Sequence, residues 1–480
     1  MATTRKRTTT AKKRGKTSAA PKAKPAARRR GRAGAAGDNV LRVRMYRVGF
    51  GDFFLLTVPT KTGPAHILID CGVHAGNIGT MGACVQDLIA TTGRQLALVI
   101  VTHFHADHLS GFASNFDEFA EFEVGAVWIT NRLDPRDAKT SKFLAQLTSV
   151  AHQLKLQLGA RTDPEARAAL DKVDNALGIT LGAKGEGSND KALRLVRSGF
   201  KNKPPVFYYQ GGDEPELPDV LKGALTAELL APSPKDSGGE FSASDNRKEQ
   251  YLAAVGEHGL ALPGRVQPFE KAWPATAADY PREAFADYRT ATGEPSPPLL
   301  EAVLHAAQPD VLAAAADALD GTLNNQSLVV LFTCRGKKLL FVGDAQWGNW
   351  SYWLYGKAVK GADPGITAQA KDILGSIDFY KVGHHGSTNA SPIPAVGALA
   401  STCVAMCSTE MGAYGNPDKG TEVPRTTLLK ALEKQTKNQT VRSDWIKAGD
   451  HPPADEAHEQ LAKLPKNFAL GDLYIDYVFP

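Results

Sequence analysis

The sequence predicts an α/β fold on two observations: a β-rich opening, and a series of short apolar strands that each run into a turn or a helix. Residues 41–48 alternate Leu, Val and Met with Arg, while 53–58 followed by 66–70 read as paired strands around a turn at 59–64. Helical spacing over 85–92 precedes the run Leu96-Ala-Leu-Val-Ile-Val101. That run lacks the polar alternation of a half-exposed strand, so it should be buried on both faces. Strands are further expected at 124–130, 224–230, 327–334, 338–342, 377–382 and 403–407, with a closing strand at 473–479. Helices are expected at 140–158 and 163–177.

A chain of 480 residues accommodates one domain with large insertions or two domains. Its 42% hydrophobic and 22% charged residues are ordinary for a soluble globular protein. No apolar run approaches the roughly 20 residues that cross a bilayer, so no membrane association is expected. Charge is unevenly placed. Residues 1–38 carry 13 Lys or Arg against one acid, Asp38, which leaves the remainder at net −7 within a total of +5. With almost nothing apolar larger than Ala, this arm cannot offset its ordering entropy and is expected to be a disordered basic tail. It suits either a solubilising role or a nonspecific tether to nucleic acid; the acidic body offers no broad polyanion surface. Residues 39–480 form the expected folded domain, with an insertion around 233–320, where Pro, Gly and charged residues concentrate.

Five cysteines (Cys71, Cys84, Cys334, Cys403 and Cys407) are odd in number and include no Cys-x-x-Cys pair. A disulfide framework is therefore not expected, and a reducing, cytoplasmic location is. The basic start lacks the apolar core of a secretory signal, although an acid-poor, Lys/Arg-rich start also fits an organelle transit peptide.

The densest chemical signal is Thr102-His-Phe-His-Ala-Asp-His-Leu-Ser-Gly111, with three imidazoles and a carboxylate within six positions just past the buried strand. A loop there can turn His103 and His105 toward one cation while Asp107 and His108 serve another, because imidazole and carboxylate are preferred ligands of zinc-like divalent ions. Asp344 ends Leu340-Phe-Val-Gly-Asp344, and His384-His385 precedes Gly-Ser. Alone, the first could be a strand-ending acid and the second a strand-to-helix junction.

Taken in order, these segments resemble the metallo-β-lactamase superfamily, and within it the soluble hydrolase domain of the DNA-uptake proteins ComEC/Rec2. Val48-Gly-Phe-Gly-Asp-Phe-Phe-Leu-Leu56 resembles that branch's opening Val-Gly-Gln-Gly-Asp, and Leu68-Ile-Asp-Cys-Gly72 its first acidic motif. Asn324-Asn-Gln-Ser-Leu-Val-Val330 resembles the turn and strand before its bridging aspartate, and Lys381-Val-Gly-His-His-Gly-Ser387 its Lys-Val-Pro-His-His-Gly-Ser. The resemblance spans 41 to about 420. It implies an αββα four-layer sandwich holding two divalent metal ions, zinc or else manganese. The implied ligands are His103, His105, Asp107, His108, a bridging Asp344, and one of His384 and His385. Asp70, placed before a Gly turn, is better suited to orient a ligand histidine from behind than to bind metal. The histidine of the pair that does not ligate would stabilise developing charge or protonate a leaving oxygen, so Asp107, Asp344, His384 and His385 form the expected catalytic set. Ser387, Thr388 and Asn389 are expected at a helix start, either capping it or offering donors to an anionic substrate group.

The chain departs from that pattern in three places. Phe50 replaces the usual Gln, Tyr414-Gly-Asn-Pro417 stands where Tyr-Gly-His-Pro is common, and Leu229-Leu-Ala-Pro232 supplies no third histidine for the first ion. His152, His258 and His305 read as surface residues. The leading functional expectation is a phosphodiesterase or nuclease acting through a hydroxide held between two metals. A small-molecule phosphoesterase, or a lactonase or β-lactamase-like hydrolase, is the alternative on the same site. A nonenzymatic DNA-associated protein with a structural metal is the third. Trp347, Trp350, Tyr352, Trp353 and Tyr355 either pack the core or line the substrate pocket.

Overall fold

The computed structural model describes residues 39–74, 76–159, 161–177, 188–234, 309–356, 365–417 and 420–480. The basic tail at 1–38 and most of the expected insertion, including His258 and His305, lie outside the described residues.

The described chain is a mixed α/β structure built on two sheets. β1 (Arg42–Tyr46), β2 (Phe53–Thr60), β3 (Gly63–Cys71), β4 (Gln95–Val101), β5 (Glu123–Thr130) and β6 (Val206–Tyr209) belong to one sheet. β7 (Thr226–Ala231), β8 (Val329–Cys334), β9 (Lys337–Phe341), β10 (Phe379–Lys381), β11 (Val404–Cys407) and β12 (Thr440–Arg442) form the other. β13 (Phe468–Leu470) and β14 (Tyr474–Val478) return to the first, giving the orders β13-β14-β1-β2-β3-β4-β5-β6 and β12-β11-β10-β9-β8-β7. β3 to β6 run parallel, as do β9 to β12.

Each sheet buries both faces. Val43, Phe54, Ile67, Leu98, Ile100 and Trp128 of the first sheet share a core with Val330, Phe332, Leu339, Phe341 and Met406 of the second. Phe54 meets Phe341 edge-on at 6.2 Å across the two layers. The opposite face of the first sheet, with Leu55, Leu68, Val99 and Val101, packs on Val85, Leu88, Leu109 and Phe112 from the helices Met81–Thr92 and Ala106–Ser114. The second sheet likewise covers its outer residues Leu331, Leu340, Val342 and Ala405 with apolar residues of the helices Trp347–Tyr355, Ala368–Gly375, Ile393–Ala398 and Thr426–Gln435. The unbroken apolar run of β4 thus has apolar partners on both sides, as its sequence requires. Trp350, Leu354 and Tyr355 belong to this core, and Trp347 and Trp353 pack against it.

Alternation in β1 places Val43 and Met45 in the intersheet core, but the arginine face is also buried. Arg44 forks onto Asp476 at 2.8 and 2.9 Å, reaches Asp87 at 2.6 Å and lies over the Tyr474 ring. Paired carboxylates allow a guanidinium to sit where a strand pattern would suggest solvent.

A third helical group has a core of its own. The helices Ala138–Gly159 and Pro164–Leu177 match the expected ones and share a core with Pro309–Asn324 through Leu154, Val173, Ala316 and Leu319. The last of these falls largely within the stretch expected as insertion. A helix was also expected to begin at Ser387, and this is corrected: Ser387, Thr388 and Asn389 form an extended residue and a turn, and the helix starts at Ile393. Pro392 and Pro394 account for the delay, since proline fits the first turn of a helix but not its interior. All five cysteines are free and buried. Among the described residues, no helix is long and apolar enough to cross a membrane.

His66 of β3 provides a pH test of this packing. It is 8% exposed with Nδ1 3.2 Å from Thr57 Oγ1; burial first, then Arg42 and Arg44, push its pKa from 6.5 down to about 4. The unfolded chain takes up this proton below pH 6.5, whereas the folded chain resists it until about 4. The stability contribution is therefore complete above 6.5 and lost as pH falls from there through 4. Between pH 7 and 5 wild type should lose about 2 kcal/mol that His66→Gln does not. Urea unfolding of both proteins at each pH tests this, and a pH-independent difference would refute it.

Candidate metal centre

The site forms where parallel strands end. Asp70 stands at the end of β3, Thr102 to His108 follow β4, Asp344 follows β9, His384 and His385 follow β10, and Ser408 follows β11. C-terminal ends of parallel strands place the following loops side by side, so groups far apart in sequence converge there. Backbone bonds lock the loops together, with Asp52 N donating to Asp107 O and Gly72 N to Asp52 O, both at 2.9 Å. A Cβ at Gly72 would fall 2.3 Å from the Asp107 carbonyl carbon and 2.4 Å from His108 N, so only glycine lets the β3 turn lie against that helix start. Asp70, His384 and His385 adopt positive φ angles of 54°, 42° and 52°. Each costs about 1–3 kcal/mol, which the surrounding contacts must offset.

Hydrogen-bond partners assign the imidazole protons. Asp70 Oδ1 accepts from Thr102 N at 2.8 Å, and Oδ2 accepts from Thr102 Oγ1 at 2.7 Å. With its proton committed, Thr102 Oγ1 accepts from His103 Nδ1 at 3.1 Å. His108 Nδ1 donates to Asp70 Oδ2 at 2.7 Å, and His385 Nδ1 donates to Ser408 O at 2.9 Å. In the neutral forms, Nε2 of His103, His108 and His385 therefore carries the lone pair, the state a metal ligand needs.

Those lone pairs point at one another and at carboxylates. His108 Nε2 lies 3.1 Å from Asp344 Oδ2 and 3.9 Å from Asp107 Oδ1, while His385 Nε2 lies 3.1 Å from Asp107 Oδ2 and 3.5 Å from Asp344 Oδ2. Four ligands around one zinc sit roughly 3.3 Å from each other, given bonds of about 2.0–2.2 Å. Beside this group, His103 Nε2 faces His105 Nδ1 at 3.1 Å. Ligand atoms of His103, Asp107, His108 and Asp344 all fall within 4.8 Å of one another, and the four residues are buried. Asp107 Oδ1, His108 Nε2 and Asp344 Oδ2 have no hydrogen-bond partner. Buried polar atoms are rarely left so, and several converging on one point mark a place for an ion. These buried clusters could hold a metal ion.

Electrostatics favours the same conclusion. Asp52, Asp70, Asp107 and Asp344 are each at most 1% exposed, and Lys381 is the one buried ammonium among them. Its Nζ pairs with Asp52, reaches Asp344 Oδ1 at 3.3 Å and donates to Gly343 O at 2.7 Å. Burial pushes His103 well below the ordinary imidazole value and His105 to about 4. Burial also opposes charge on His108 and His385, yet Asp344, with Asp70 and Asp107 at His108 and with Asp107 and Asp52 at His385, raises both. Burial alone would raise Asp107 and Asp344, but the neighbouring His108 and His385 hold both below the usual carboxylate range. Excess negative charge draws protons onto imidazoles unless other cations are available. A second acidic group, Asp52, Asp70 and His108, lies behind His108. Asp52 pairs with Lys381, and Asp70 serves Thr102 and His108 Nδ1, while Asp52 Oδ1 has no hydrogen-bond partner.

No protein-family model and no curated protein matches the chain. The structure brings His103, His105, Asp107, His108, Asp344 and His385 together, with Asp70 behind them. His384 sits at the rim, 17% exposed, with Nε2 4.0 Å from Asp344 Oδ2 and its backbone N donating to Asp344 Oδ1 at 3.0 Å. Ser387 Oγ donates to Asn389 Oδ1 at 2.9 Å and lies 2.7 Å from His384 Nδ1, which Gln346 Nε2 also approaches at 3.3 Å, while Asn324 Nδ2 stands 3.5 Å from His384 Nε2; these four side chains orient His384. Phe50 lies against His385, with ring centroids 4.4 Å apart, and stacks on Tyr414 at 5.5 Å. At the end of β7, where a third histidine was sought, stands buried Ala231.

Three participants escape sequence reasoning: Asp52, Lys381 and Asp320. Asp52 and Lys381 lie inside recognisable segments, and a lysine flanked by Tyr380 and Val382 in a buried strand is the signal that could have found the latter. Asp320, on the Pro309–Asn324 helix, approaches His105 Nε2 at 3.8 Å and has no motif around it.

Asp70 allows a direct test. Asparagine keeps the acceptor for Thr102 N but turns a donor toward Thr102 Oγ1 and His108 Nδ1, which moves the His108 proton onto Nε2. Asp70→Asn should weaken Zn²⁺ binding roughly 10–100-fold. Competition against a chromophoric chelator measures this, and an unchanged affinity would show that Asp70 does not set these imidazoles.

Proposed function

We propose that the chain is a metal-dependent hydrolase of the metallo-β-lactamase type, with a four-layer αββα body, and that it cleaves phosphodiesters of nucleic acid. The carrying observation is the buried quartet Asp107, His108, Asp344 and His385, whose facing atoms lie 3.1–3.9 Å apart along four edges. Support for the fold comes from two sheets packed face to face with helices on their outer sides. The motif order read from sequence adds to it.

Asp107, His108, His385 and Asp344 would hold one ion; His103 and His105 would hold a second, with Asp344 Oδ2 turned toward the imidazoles and Oδ1 occupied by Lys381 and His384 N. Zinc suits this nitrogen and oxygen donor set, and manganese is the next choice. When bound, such ions supply Lewis acidity and lower the pKa of water toward neutrality. The remaining work falls to side chains. His384, held by Ser387 and Gln346 at Nδ1 and by Asn324 at Nε2, is the imidazole placed at the rim to take up or hand on a proton. Burial lowers its pKa, which keeps it neutral and able to accept at neutral pH. Phe50 and Tyr414 form an apolar wall beside His385 that limits water there.

A polymer substrate is favoured by the 13 positive charges of residues 1–38, which would add a salt-dependent, sequence-independent affinity for nucleic acid. A cytoplasmic location fits the unpaired cysteines. Zn²⁺- or Mn²⁺-loaded protein should cleave labelled single- or double-stranded DNA or RNA. His105→Ala should lower the rate by about two orders of magnitude or more. Removing residues 1–36 should weaken polymer cleavage and flatten its salt dependence while sparing bis-p-nitrophenyl phosphate turnover. Turnover of the small ester alone would point to a small-molecule esterase, and polymer binding without turnover to a scaffold protein.

A further inference from the structure

His105 is the one imidazole of the cluster whose proton position the strand-end loops leave undecided. Its Nδ1 faces the lone pair of His103 Nε2 at 3.1 Å. Two outcomes follow from that contact. If Nδ1 carries the proton, it donates to His103 and the two rings satisfy each other, leaving neither lone pair for an ion. If Nε2 carries it, both His103 Nε2 and His105 Nδ1 present lone pairs to one point, the arrangement a shared cation requires. Whatever lies beyond His105 Nε2 therefore decides whether the pair is a closed hydrogen bond or half of a metal site.

Nε2 is fully buried. Facing it is the Pro309–Asn324 helix, with Asp320 Oδ1 at 3.8 Å. Asn324, one turn later, donates from Nδ2 to Asp320 Oδ2 at 3.0 Å, which anchors the carboxylate by one oxygen and leaves Oδ1 toward His105. Asn324 Oδ1, also buried, is the competing acceptor near His105. The helix is fixed on the helices Ala138–Gly159 and Pro164–Leu177 through their common core. The latter also supplies Asn175 Oδ1, which accepts from Asp107 N at 3.2 Å. This helical group thus touches both the Asp107 and the His105 sides of the centre.

We propose that Asp320 is the positioning residue for His105, accepting its Nε2–H and so fixing the tautomer that leaves Nδ1 free for a cation. The separation exceeds an ordinary N–H···O length by about 0.8 Å, so the bond requires Asp320 Oδ1 to move toward His105 while Oδ2 stays on Asn324. The role rests on the metal reading above, and it gives the helical group a chemical purpose beyond packing. Carboxylates behind ligand histidines raise their basicity and hold the ring, and losing one weakens metal binding roughly 10–100-fold.

Two measurements separate this inference from the metal reading. Two-bond ¹H–¹⁵N spectra of ¹⁵N-histidine-labelled, metal-free full-length protein report the His105 tautomer directly. Wild type should show Nε2–H, and Asp320→Ala should shift His105 toward Nδ1–H. Co²⁺ titration, followed by visible absorption, should show one of two sites weakened about 10–100-fold in Asp320→Ala with an altered spectrum. Asp320→Leu removes the acceptor at similar volume and serves if the alanine protein does not fold; Asp320→Asn, which restores an acceptor, should recover most of the affinity. An unchanged tautomer with unchanged Co²⁺ affinity in Asp320→Ala or Asp320→Leu overturns the proposal, and would leave Asn324 as the partner of His105. Failure of wild type to take up Co²⁺ overturns the metal reading and, with it, the purpose assigned to this contact.

Discussion

The centre depends on one buried carboxylate. Asp70 accepts three hydrogen bonds, from Thr102 N, Thr102 Oγ1 and His108 Nδ1. Through the first two it holds the start of the loop that carries all three clustered histidines. Through Thr102 Oγ1 it also reaches His103, so a single side chain decides the proton positions of two imidazoles that it never exposes to solvent. Its left-handed backbone, φ 54°, aims the side chain across β3 to the end of β4. The strain is local; the order it imposes extends to His103 and His108.

The second constraint is charge. Placing four carboxylates in a water-free space costs many kcal/mol unless cations accompany them. Lys381 neutralises part of that charge, and it does so from one side, contacting Asp52 and Asp344 Oδ1. This leaves Asp344 Oδ2 and both Asp107 oxygens facing imidazole nitrogens. Without further cations, those nitrogens must take protons, as the raised values of His108 and His385 indicate. A proton or a metal ion could supply that positive charge at the same lone pairs.

How much of this was legible in the sequence follows from how local each feature is. The run from His103 to His108 stands out because its ligand types are adjacent and follow a fully apolar strand, and both facts survive without any knowledge of topology. Asp344, His384 and His385 are single residues at strand ends; they acquire meaning only in combination, and the sequence leaves open which histidine faces inward. The backbone resolves that point, since consecutive positive φ angles turn His385 into the cluster and His384 to its rim. Arg42 and Arg44 look like a solvated face because pairing to Asp476, more than 400 residues later, cannot be read from periodicity. Ser387 to Asn389 resemble a helix start because Ser and Asn are good caps, but the prolines downstream move the helix away. Asp320 is the least legible of all, being an ordinary acid on an alanine-rich helix after a long stretch of Pro, Gly and charged residues.

The centre is also an interface between halves of the chain. Asp70 and the His103–His108 segment belong to the first sheet, while Asp344, His385 and Lys381 belong to the second, and the two sheets meet through a single shared core. Neither sheet alone brings a carboxylate against a lone pair from the other. Ligand geometry is consequently a readout of intersheet packing, and any ion bound between the halves would add its binding energy to their association. Close packing at Gly72 and Gly343, where an added Cβ would meet Asp107 or Thr102 within 2.8 Å, shows how little slack that arrangement has. A displacement of one sheet would change the edges that join Asp107 and His108 to Asp344 and His385, so the large apolar core is what gives the small polar one its shape.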